Sequence, residues 1–216
     1  MLAGYTGSQN WQPPFSSTIS IFPIGSAPNC QPQTALEGNP ILYDAFVVVL
    51  DASLSSPNLV FGSFFGGVER EEPAGLAIDT NHSIYLSGET RSSRQEGFPI
   101  TPNAFDLKFT TFTDVNYSIN DGFLIKFFFT ETADITPASM LLYSTYFGGD
   151  CPNTTLDNDP SERGSRPRGL VNLPTPGEVL MVGGATTIDM PTTANVVFQI
   201  WRRGLRDGWL AKHNTN

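Results

Sequence analysis

The chain has 216 residues and a net charge of −9, with 39% hydrophobic and only 15% charged residues. That acidity excludes a nucleic-acid partner, whose phosphates demand a basic face, and disfavours docking on an anionic membrane surface. No run approaches the roughly 20 apolar residues that span a bilayer, and the opening MLAGYTGSQNW lacks the basic-then-apolar order of a signal peptide.

Gly 20, Pro 17 and Phe 16 are high, and no stretch carries a sustained helical period. The expectation is an all-β chain of short strands joined by turns. In chain order, LAGYT (Leu2–Thr6) is a first strand, followed by the long loop Gln9–Tyr43. DAFVVVLD (Asp44–Asp51) and NLVFGSFFGG (Asn58–Gly67) follow. The central stretch then reads GLAID (Gly75–Asp79), the polar turn DTNHS, and IYLSGET (Ile84–Thr90). Asp and Asn suit that turn because they tolerate the left-handed conformation and bond their own backbone. A second long loop, Arg91–Asn120, contains FPITPNAFD (Phe98–Asp106) and a helical turn near Asn103–Lys108. DGFLIKFFF (Asp121–Phe129) and MLLYSTYFGG (Met140–Gly149) complete this stretch, and RGLVNL (Arg168–Leu173), EVLMVGGAT (Glu178–Thr186) and DGWLAKH (Asp207–His213) close the chain.

These segments repeat. LAGYT matches LSGET, DAFVVVLD matches DGFLIKFF, and NLVFGSFFGG matches LLYSTYFGG, in unchanged order. On the other side RGLVNL matches GLAID, with Asn172 at the place of Asp79, and EVLMVGGAT matches SIYLSGET. DGWLAKH matches DGFLIKF, and MPTTANVVFQ (Met190–Gln199) echoes the Phe-Pro loop. Loops vary while strands keep their order, as a repeat scaffold tolerates. A four-stranded unit in tandem is a propeller blade. The matches divide the chain into unit one (1–67, lacking a first strand), a complete unit two (68–149), and unit three (150–216, lacking a fourth). Repeated glycines at strand ends (Gly66–Gly67, Gly148–Gly149, Gly183–Gly184) suit close backbone approach or a positive φ.

Together DGFLIKF, MLLYSTYFGG, GLAIDTNHSIYLSGET and FPITPNAF resemble the SBBP repeat, a β-propeller repeat of bacterial secreted and surface proteins. The resemblance covers nearly the whole chain outside the loop insertions. Unit one departs from it, with FGSFFGG for the Tyr-Ser-Thr-Tyr segment. The resemblance implies a propeller and an extracellular or cell-surface location, and no defined reaction.

Candidate chemistry is sparse. Asp44, Asp121 and Asp207 each open the third strand of a unit, and such recurrence fits turn caps better than acid–base catalysts. Cys30 and Cys151 fall in Pro- and Asn-containing loops and permit one disulfide in an exported chain. His82, in a turn, and His213, near the end, lack ligand-spaced partners and read as solvated. Asp157, Asn158 and Asp159 offer oxygen ligands that would suit Ca²⁺, against the plainer reading of a solvated acidic loop. No other cofactor is implied. Trp209 takes the place of Phe46 and Phe123 and reads as core, which leaves Trp11 and Trp201 as loop aromatics for a glycan or protein ligand. No phosphate loop, nucleophile elbow or paired-His zinc motif is present.

Three readings follow. One is a non-enzymatic binding module whose long loops form the contact surface, and a second is a purely structural spacer. The third is part of a propeller-type polysaccharide hydrolase or lyase, drawing on the non-repeated carboxylates Asp114, Asp134, Asp157 and Asp189. Propellers typically need at least four blades to close. The expectation is therefore a segment completed by further blades or like chains, with Met1 directly before a strand.

Overall fold

The computed structural model describes residues 1–6, 44–51, 53, 58–110, 119–128, 140–149, 163–194 and 206–216. The chain is all-β: the described residues form ten strands, with a 3-10 turn at Arg94–Glu96 and Met140 as the one further helical residue among them. The expected helical turn near Asn103–Lys108 is not helix. In order the strands are β1 (Leu2–Thr6), β2 (Asp44–Asp51), β3 (Asn58–Phe65), β4 (Glu71–Ile78) and β5 (Ser83–Thr90). After them come β6 (Ile119–Phe128), β7 (Leu141–Phe147), β8 (Arg163–Asn172), β9 (Glu178–Ala185) and β10 (Asp207–Asn214).

They group into three antiparallel meanders, β1-β2-β3, β4-β5-β6-β7 and β8-β9-β10. The first is a separate sheet. The other two join into one mixed sheet through a short parallel pairing of Ile119 with Arg163 and Asn120 with Gly164. Local sequence gives no sign of this join. It arises because β8 begins with Arg163 and Gly164, ahead of Ser165, the residue that corresponds to Glu71 at the start of β4. Gly164 takes φ 111 against the Asn120 backbone, where a side chain would collide. Neither sheet closes on itself.

Registers repeat as the residue matches require. Gly4 faces Phe46, Gly88 faces Phe123, and Gly183 faces Trp209. In each pair the aromatic ring lies over its glycine: an added Cβ would sit 2.9 Å from the ring at Gly4 and 2.8 Å at Gly88. Close approach, rather than positive φ, is what these glycines supply. Both β4 and β8 carry a bulge after proline, between Pro73 and Gly75 and between Pro167 and Gly169, where the missing proline N–H costs no ladder bond.

One match needs correction. Asn172 pairs with Val179 as Ile78 pairs with Ile84, so Asn172 corresponds to Ile78. Leu173 takes the Asp79 place, its N–H donating to the Glu178 carbonyl (3.0 Å) as that of Asp79 donates to Ser83 (3.0 Å).

Two cores explain why the strands of the second meander read as apolar without clean alternation. Strand β5 is buried along its whole length. Ile84 and Leu86, with Phe123 and Ile125 of β6, point to the first meander and meet its Ala45, Val47 and Phe65. Tyr85, between them, points to the third meander and meets Leu124, Leu170, Val179 and Met181. Phe98, from the Phe-Pro loop, plugs the first core. Its ring stacks on Tyr146 at 5.1 Å and meets Phe65 edge-on at 5.3 Å. The same loop covers the outer edge of β7, with Thr101 bonded to Ser144 and Asp106 to Thr145 and Tyr146. Covering an edge in this way blocks stray strand pairing.

His213 is a second correction. It is buried rather than solvated, against the rings of Phe147 (4.9 Å) and Phe105 (6.0 Å). The two-residue period of β10 turns it inward with Trp209 and Ala211. Burial lowers its pKa to about 4. Trp209 packs as expected against the second core, 4.8 Å from the Phe147 ring.

Candidate functional site

The described polar chemistry gathers at the two ends of the strands. At one end the turn DTNHS is an Asx turn: Asp79 Oδ1 accepts from the N–H groups of Asn81 and Ser83, both at 2.9 Å. Tyr85 donates its hydroxyl to Asp79 Oδ2 at 2.8 Å. Burial alone would raise the Asp79 pKa, but these bonds outweigh it and hold the carboxyl below its ordinary range. His82, rather than Asp or Asn, takes the left-handed conformation, at φ 62.

The opposite end holds the carboxylates. Asp44, opening β2, and Glu71, opening β4, meet beside Gly66, whose missing Cβ leaves the room they occupy. Glu71 is fully buried. It accepts from Thr90 Oγ1 at 2.7 Å and from the Gly67 N–H at 3.1 Å. Burial raises the pKa of both carboxyls, Asp44 adds repulsion at Glu71, and the Ser92 and Thr90 hydroxyls pull Glu71 part of the way back. A pair of this kind shares a proton near neutrality.

The next junction keeps the arrangement and changes the chemistry. Asp121, the third residue of β6, lies beside Gly148 as Asp44 lies beside Gly66, and Ser165 stands where Glu71 would be. Asp121 accepts from the Thr110 N–H at 2.6 Å and from Thr110 Oγ1 at 2.9 Å. It thus fastens the long loop at Thr110. Alongside, Glu89 accepts from Asn120 Nδ2 at 2.8 Å and pairs with Arg166 at 3.0 Å, and Arg91 donates to Asn120 Oδ1 at 2.7 Å. This network ties β5, β6 and β8 together.

These carboxylates are engaged with groups of the protein itself. Glu71 has no exposed surface, and the Asp121 and Glu89 carboxylates are buried with partners of their own. Glu71 and Glu89 escape the repeat matching because their counterparts are uncharged: Ser165 and Gly184. A carboxylate present in one unit and missing from the next is the signal that would have found them.

Of the residues singled out by sequence, Trp11, Trp201, Cys30, Cys151, Asp114, Asp134, Asp157, Asn158 and Asp159 lie outside the described residues. Asp189 lies within them, beside Gly149 and Thr187. Among the described residues no group of three His, Cys, Asp or Glu side chains is placed to hold a metal. No helix among them is long and apolar enough to cross a membrane. No protein-family model matches the chain, and no curated protein sequence matches it.

Proposed function

We propose that the chain is a stretch of β-propeller repeats of the SBBP kind, acting outside the cytosol or at the cell surface as a non-enzymatic binding module. The observation behind this reading is the recurrence of one register, Gly4–Phe46, Gly88–Phe123 and Gly183–Trp209, in meanders stacked face to face. The three meanders correspond to the three units of the sequence, the first and last incomplete. The described carboxylates are engaged in joining strands, so the contact surface falls to the long loops, with Trp11 and Trp201 as aromatic anchors for a glycan or protein. Asp157, Asn158 and Asp159 would supply any Ca²⁺ site, and Cys30 and Cys151 any disulfide.

Binding to an array of immobilised glycans tests this, with Trp11→Ala and Trp201→Ala beside the unaltered protein. Glycan retention weakened about tenfold by one of these changes, the loss of roughly 1.4 kcal/mol, is the expected result. Release of new sugar ends from a polysaccharide would overturn it in favour of a hydrolase or lyase. Retention unaffected by either change would remove both tryptophans from the contact surface.

A further inference from the structure

The stacking of the meanders leaves two faces whose counterparts inside the molecule are buried. In the second meander, Leu124, Ser87 and Tyr85 have no exposed surface because the third meander lies on them. Register places Leu210, Val182 and Leu180 at the same positions of the third meander. There Leu210 is 66% exposed and Val182 40%, with Val171 of β8 53% exposed on the same face. Lys212, the counterpart of the buried Lys126, pairs with Glu178 at 2.8 Å at the edge of this face.

The first meander shows the converse. Its face towards the second meander is filled by Ala45 and Val47, and its opposite face carries Leu2. Leu86 and Met181 hold the Leu2 position in the other meanders and are both fully buried, whereas Leu2 is 57% exposed. Val48, across from Leu2, is already covered, and among the described apolar side chains of that face Leu2 is the one that stands exposed.

The two faces are therefore the two halves of the contact that the molecule already makes twice internally. We propose that they join: the Val171–Val182–Leu210 face of one copy receives the Leu2 face of the β1-β2-β3 sheet of a second copy. This rests on the reading of the chain as stacked repeat units. The contact continues the stacking of the internal junctions and sets aliphatic surface on aliphatic surface. It uses different patches on the two partners, so it is heterologous and runs head to tail, closing into a ring or extending according to its rotation.

Leu2→Glu and Leu210→Glu test it, since each removes one patch and leaves the other. Both positions are exposed, so each variant should keep the far-ultraviolet circular dichroism of the unaltered chain. In sedimentation velocity the unaltered protein is expected to associate, and each variant alone to run as a monomer. An equimolar mixture of the two should form a dimer and nothing larger, because it contains one intact patch of each kind. An unaltered protein that is monomeric at micromolar concentration would overturn the proposal. So would a variant that associates like the unaltered chain, the result expected of a contact that uses one patch on both partners, or a mixture that stays monomeric. The glycan array reads the loops, so failure here and failure of the binding-module reading are told apart.

Discussion

The junction between the first and second meanders and the one between the second and third are built on the same backbone and filled with opposite chemistry. Each sets an Asp beside a strand-end glycine and an aromatic over a strand glycine. At the first junction the Asp meets Glu71, and the core is a close group of rings, Phe65, Phe98, Phe123 and Tyr146. At the second the Asp meets Thr110 and Ser165, and a neutral imidazole replaces a phenyl in the core, His213 standing where β6 has Phe127. A repeat thus fixes where side chains meet and leaves free which ones do. The consequence is opposite responses to pH, because a buried carboxyl pair prefers to hold a proton and a buried imidazole prefers to lose one.

The largest expected effect contrasts the two ring-over-glycine pairs. Phe123 is fully buried and touches Phe65 and Phe98, so Phe123→Ala should cost about 3–5 kcal/mol in urea unfolding. Trp209 is only partly buried, and Trp209→Ala should cost clearly less. The reverse order would show that the second junction, not the first, carries the stability.

Next comes His213. Its folded pKa, about 4, lies below the ordinary 6.5, so protonation favours the unfolded chain. Stability is unaffected at neutral pH and falls as pH drops from 6.5 through 4, by up to about 3 kcal/mol given 1.36 kcal/mol per pKa unit. His213→Phe restores the residue of the second meander and should abolish that loss. Melts of the two proteins from pH 7 to pH 4 that run parallel would refute it.

The smallest effect concerns the acid pair and has the opposite sign. Asp44 and Glu71 are raised above their ordinary 3.8 and 4.5, so their contribution is complete below those values and is lost as pH rises through the raised ones towards neutrality. Glu71→Gln should therefore lie close to the unaltered protein near pH 5 and exceed it by about 2 kcal/mol at pH 8. Equal stability at both values would mean that folding does not raise the Glu71 pKa.

The strands and their order were legible in the sequence, as was the Asx turn at Asp79, whereas the pairing of a ring with each strand glycine came from the register. What was legible depends on local properties: a two-residue period and turn-forming side chains. Sequence misplaced Asn172 by one position, because the residue after the strand is defined by its partner across the hairpin, Glu178 for Leu173. Tertiary structure alone decided that β5 buries both faces, that His213 turns inward, that Glu71 meets Asp44, and that β8 pairs with the start of β6. The physical reason is common to all four. Burial and pairing on the far side of a strand are set by residues distant in the chain, and a strand's own pattern records only that a face is apolar, not what covers it.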